Sequence, residues 1–138
     1  VRTRLIDAAE DVMRRRGPLN VRIGEVARLA GCSRATVYRH VADKDELVRE
    51  VLARLARARA ADSTTLVLAC GQGDPASQGI EPKGAAPTGV GHSVVVSPLG
   101  DVLEELDGAP GMLFADLDPA VVKEARTKLP VLANRHKF

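Results

Sequence analysis

The sequence predicts a mixed fold: an all-α three-helix unit over residues 1–55 containing a helix-turn-helix, then an α/β segment over residues 56–138. Three observations predict it. Apolar residues recur at helical spacing from Ile23 to Ala58, the pattern switches to a short β-rich run at TTLVLAC (64–70), and charge divides along the same line. Residues 1–60 hold 14 Lys and Arg against 8 Asp and Glu, whereas residues 61–138 hold 6 against 10, giving net charges of +6 and −4. The near-neutral total hides a basic half suited to neutralising phosphates and an acidic half.

The stretch RIGEVARLAGCSRATVYRHVADKDEL (22–47) carries the most information. Ile23, Val26, Ala27 and Ala30 fall on one helical face. Gly31 stands where the chain must bend, free of the Cβ clash that disfavours positive φ. Ser33 is a good N-cap for the next helix, in which Val37 and Val41 point one way and Arg34, Thr36, Arg39 and His40 the other. Guanidinium, hydroxyl and imidazole groups on one outward face suit base edges and phosphates in a major groove. Asp43 then caps a third helix, with Glu46 at N3 for a reciprocal bond. That helix is expected to run through LVREVLARLARARAAD, with Leu47, Val51, Leu55 and Ala58 along one stripe.

Downstream, TTLVLAC reads as a buried strand and residues 71–91 as a Gly/Pro/Ala-rich loop of unusual length. HSVVVSPLGDVLEEL predicts two strands around a Ser97-Pro98-Leu99-Gly100 turn, and GMLFADL (111–117) a further strand. Asp118-Pro119 caps and starts a helix, AVVKEARTKL, that stops before Pro130.

Only Tyr38, Phe114 and Phe138 are aromatic, so the cores are left to Val, Leu, Ile and Ala. No apolar run of about 18 residues and no apolar leader is present, so no membrane partner is expected. Cys32 and Cys70 make neither a zinc site nor a disulfide framework, and the expectation is a reduced, cytoplasmic protein. No cofactor or metal is expected.

EVARLAG, CSRATVYRH and KDEL, preceded by RLIDAAEDVMRRRG, closely resemble the DNA-binding domain of the TetR family of bacterial regulators over roughly residues 1–55. The resemblance implies three helices, the second and third forming the motif. It implies double-stranded DNA as the partner, with Ser33, Arg34, Thr36, Arg39 and His40 on the recognition helix and Tyr38 and Lys44 on the DNA backbone. A homodimer is left open, and no effector or operator is named by it. Two departures weaken the domain: Arg22 stands where the family often has Thr, leaving the cap to Asn20, and Val41 replaces a frequent Phe.

The remainder resembles a different family. RARAADSTTLVLACGQ, GVGHSVVVSPLGDVLEEL and MLFADLDPAVVKEARTKLPVLANRH are similar to the C-terminal part of the carbon–nitrogen hydrolase (nitrilase/ω-amidase) superfamily, over roughly residues 52–138. That implies part of an α-β-β-α sandwich. The family's catalytic Glu, Lys and Cys lie upstream of the portion present, so no catalytic residue is assigned and the chain is not expected to be an enzyme. Cys70 is read as a small buried hydrophobe, His92 as a structural hydrogen-bonding residue, His136 as a solvated tail residue, and Glu104, Glu105 and Asp107 as a solvated strand end. Lys83 has no partner base, and Gly71-Gln72-Gly73 lacks the helix a dinucleotide site needs. The expected function is sequence-specific DNA binding and transcriptional regulation. The alternatives are a hydrolase remnant and a chimera without a complete active site.

Overall fold

The computed structural model describes residues 1–17, 20–73, 75–81, 89–131 and 133–134. Four helices come first: α1 (Arg2–Arg16), α2 (Ile23–Leu29), α3 (Arg34–Tyr38) and α4 (Lys44–Ser63). Strands β1 (Val67–Ala69), β2 (Val94–Val96) and β3 (Val102–Glu105) and helix α5 (Pro119–Lys128) follow.

The helices enclose an aliphatic core in which Leu5, Val12, Val26, Val37, Leu47 and Val51 are fully buried. Each such side chain contributes about 1.5–3 kcal/mol by leaving water. Val41, the expected smaller plug, is buried in the same cluster. Helix α1 ends at Gly17, whose φ of 81° lies in the left-handed region. Asn20 does not cap α2. Its Nδ2 donates to the Arg16 carbonyl at 2.8 Å, closing the end of α1 instead, and Arg22 stands at the α2 N-cap with no side-chain bond.

Helix α4 serves two cores. Leu47, Val48 and Val51 enter the helical core, whereas Ala56 and Ala60 pack on Val67, Ala69, Val94 and Val96 of the sheet. At about 100° per residue these two sets lie on nearly opposite faces. The expected single stripe therefore fails after Val51, and Leu55 and Ala58 are exposed. The helix ends at Thr64, which is fully buried with φ 44°, a strained value for a β-branched residue. Its Oγ1 has no hydrogen-bond partner among the described residues.

The sheet is antiparallel in the order β1-β2-β3, with Val67 opposite Val96 and Val94 opposite Glu105. Register shifts between Val95 and Val96, so Leu103 is the extra residue of a bulge in β3. β2 is buried throughout, but β1 is a short edge strand whose Leu68 is exposed, and the expected buried strand over 64–70 is reduced to three residues. The predicted turn forms: Gly100 N–H donates to the Ser97 carbonyl at 2.9 Å and Ser97 N–H to the Asp101 carbonyl at 2.8 Å. Arg57 Nε fastens that turn to α4 by donating to the Gly100 carbonyl at 2.8 Å.

Part of the 71–91 loop has structure of its own, a 3-10 turn at Pro75–Gln78; its residues 82–88, including Lys83, lie outside the described residues, as does His136. The loop's ends cross at backbone distance. Gly91 donates to the Gln72 carbonyl at 2.8 Å, and a Cβ on Gly91, at φ 71°, would sit 2.5 Å from Gly108 Cα.

GMLFADL forms no strand. Met112 and Phe114 are exposed and Leu113 and Ala115 half-buried, and the segment pairs with no strand among the described residues. Helix α5 is capped as expected, Asp118 Oδ1 accepting from Ala120 N–H at 2.8 Å with Pro119 at the first helical position.

Candidate nucleic-acid interface

Ser33 sets the motif's geometry. Its Oγ accepts from Thr36 N–H at 3.1 Å and so fixes the first turn of α3, while Gly31, at φ 65°, turns the chain out of α2. Val37 and Val41 anchor the underside of α3 in the core. The opposite side is thereby presented to solvent.

On that side the Thr36 hydroxyl lies 3.0 Å from Ser33 Oγ and accepts from Arg39 Nη2 at 3.2 Å. Arg39, the C-cap, is thus aligned along the exposed face. α3 stops at Tyr38, so Arg39 and His40 lie at and beyond its end rather than within it. Arg34 is exposed but folds back over α2, where a Cβ on Gly24 would lie 2.6 Å from its Nη2. Tyr38 is 55% exposed, an unusual fate for a ring when the described core residues include no aromatic. Lys44 opens α4 with its Nζ 3.5 Å from Asp45, a surface pair of small worth.

The start of α4 is held by a variant of the expected box. Asp43 Oδ1 accepts from Glu46 N–H at 2.7 Å, but Glu46 Oε2 accepts from Ala42 N–H, at 2.6 Å, rather than from Asp43. This N–H, and Arg2 after it, hold the Glu46 carboxyl below its ordinary range. Arg2 escaped the sequence reading. Its guanidinium donates to the His40 carbonyl, to Glu46 at 2.9 Å and to Glu50 at 2.8 Å, clamping the turn after α3 to α1 and α4. The signal was a cation at the first position of a helix, with two acids one turn apart on α4, and it acquires meaning only once the helices pack.

The cations divide into those with ion pairs and those without. Arg2, Arg14, Arg15, Arg16 and Arg54 are in ion pairs that tie helices together or lie along α1. Arg22, Arg28, Arg34 and Arg39, all on α2, α3 or their caps, form no ion pair among the described residues. The charge around the motif is therefore unneutralised from within. The second group is not confined to the motif, since Arg4 of α1 and Arg49, Arg57 and Arg59 of α4 also form no ion pair among the described residues.

The second half offers less chemistry. Cys70 is exposed rather than buried, because β1 ends at Ala69 and nothing covers the next residue. His92, at φ 57° and partly buried, has its Nδ1 3.3 Å from Glu105 Oε1, so Glu105 is engaged rather than simply solvated. Among the described residues no group of three or more His, Cys, Asp or Glu could hold a metal, and no helix is long and apolar enough to cross a membrane.

Residues 5–51 match the family model described as bacterial regulatory proteins, tetR family. An uncharacterized HTH-type transcriptional regulator of Mycobacterium tuberculosis is 43% identical over 44 residues, 32% of this chain and 22% of that protein. A protein named as a hydrolase from Mycobacterium tuberculosis is 49% identical over 86 residues, 61% of this chain and 31% of that protein. The fold also resembles a crystal structure of a carbon-nitrogen hydrolase from Helicobacter pylori, with TM-score 0.51 and 24% identity over 67% of this chain and 32% of that one. The chain thus joins a TetR-type helical region to a segment similar to carbon–nitrogen hydrolases. It spans less than a third of the length of the mycobacterial hydrolase and of the regulator.

Proposed function

We propose that residues 1–55 bind double-stranded DNA sequence-specifically and that the chain acts as a TetR-type, repressor-like transcriptional regulator. The observation that carries the reading is the Ser33-capped α3 flanked by four arginines without internal ion pairs. Unpaired guanidiniums gain most from phosphate, since no existing partner must be given up. In this reading Arg34, Thr36, Arg39 and His40 face base edges, Ser33 sets the helix, and Tyr38 and Lys44 touch the backbone. Arg34 swings off Gly24 to do so. A homodimer reads two half-sites one helical turn apart, the protein residing in the cytoplasm.

Residues 56–138 are not assigned catalysis. In this reading the hydrolase Glu, Lys and Cys lie upstream of the portion matched, and the His92 imidazole, which shares a lining with Cys70, is engaged by Glu105.

The deciding experiment is a titration of the chain against promoter fragments at several salt concentrations. Each phosphate neutralised adds about −0.9 to the slope of log affinity against log salt, so a steep fall is expected. A flat response, or no binding at low salt, overturns the proposal.

A further inference from the structure

Between the second half of α4 and the sheet lies a cavity of about 380 Å³. Its volume falls in the ~300–1,000 Å³ range of small-molecule sites. Leu52 and Leu55 line it, which explains why two large aliphatic side chains, 42% and 45% exposed, stand on the middle of a helix. Ala56, Val67 and Val94 complete an apolar floor. Arg49 and Arg59 bracket that floor along α4, ten residues or about 15 Å apart. Neither guanidinium has an ion pair or hydrogen bond among the described residues, and Arg49 is half-buried. Glu105, the one carboxylate in the described lining, is occupied by His92.

We infer that this cavity binds a small amphiphilic anion, with an acyl or other apolar body on Leu52, Leu55 and Ala56 and its carboxylate on Arg49. Apolar walls alone would take any greasy molecule. Arg49 feels the charge of Glu46, but that carboxylate already accepts from Arg2 and the Ala42 N–H, so the half-buried guanidinium keeps its own donors open, and an incoming carboxylate gains charge-assisted hydrogen bonds there. Arg49 is chosen over Arg59 because Arg59 remains solvated, where an ion pair gains little. The inference is independent of DNA binding, since none of the residues assigned to DNA lines the cavity.

Cys70 lies in the same lining and is exposed, whereas Cys32 is half-buried beside the helical core. The two thiols make an internal comparison. The intact chain is incubated with decanoate, below its micellar concentration, or with decanol, and the rate of iodoacetamide alkylation at each cysteine is followed by peptide mass. Decanoate is expected to slow Cys70 saturably and leave Cys32 unchanged. Arg49→Gln should weaken decanoate protection about tenfold while sparing that of decanol. Leu52→Glu, at an exposed position that leaves both cores intact, should abolish protection by either. Helical circular dichroism and the Cys32 rate serve as checks on folding. Unchanged Cys70 alkylation in decanoate, or protection that survives Arg49→Gln undiminished, overturns the inference.

Discussion

Thr36 and Lys44 separate two kinds of contact that one binding curve would merge. The Thr36 hydroxyl sits between Ser33 and Arg39, so its removal perturbs both a base-facing group and the aim of a neighbouring guanidinium. Thr36→Ala should relax sequence preference, with about 1–3 kcal/mol of discrimination lost. Lys44→Ala should weaken every duplex alike and make the salt slope shallower by about one. Binding by each variant to matched and mismatched operators decides this; discrimination intact in Thr36→Ala would remove α3 as the reading element. A second residue bears on stability. Thr64 buries a hydroxyl that finds no partner, and an unsatisfied buried polar atom costs about 1–3 kcal/mol. Thr64→Val keeps the shape and β-branching and should raise the denaturant midpoint at unchanged slope. At this scale the caps were legible: Ser33, Asp43 and Asp118 all act where their chemistry predicts. Cys70 was not, because whether a strand's last residue is covered depends on chain far from it.

Among the elements, α4 has the most consequential start. The Glu46 carboxyl is held below its ordinary 4.5, first by the Ala42 N–H and then by Arg2. A group whose folded pKa is depressed contributes stability that is complete above the unfolded value and is lost as pH falls through the folded one. Thermal stability should therefore decline as pH drops below about 4.5, and Glu46→Gln should be less stable at neutral pH yet flatter across that window. Melting curves between pH 3 and pH 6 test this, and identical pH dependence in the two proteins would show that the ionised Glu46 carboxyl gains nothing from the Ala42 N–H and Arg2. Helices were readable because their signals are local, in caps, period and glycine stops. The strand expected at 111–117 failed because a short apolar run becomes a strand only if an adjacent strand supplies the ladder. Its Met112 and Phe114 therefore stay in water.

On the scale of the whole molecule, the charge division and the change of period located two unlike halves, and both resemblances hold over their own stretches. What no periodicity could show was the join. A helix whose two ends bury opposite faces averages to a weak stripe, so the line Leu47, Val51, Leu55 and Ala58 holds only as far as Val51, and Ala56 and Ala60 carry the second buried face. The join lies inside α4, with no loop between the halves. Arg54, Arg57 and Arg59 stand in that shared span, three trypsin sites in a row. A protease must draw its substrate into an extended strand, and exposed loops give way first. Brief trypsin digestion under native conditions should leave the bonds after these arginines whole until the molecule unfolds, although each side chain is in reach of solvent. Early release of a fragment ending at Arg54, Arg57 or Arg59 would mean that α4 opens by itself. Resistance there would mean that the halves cannot be parted by cutting, only by melting both.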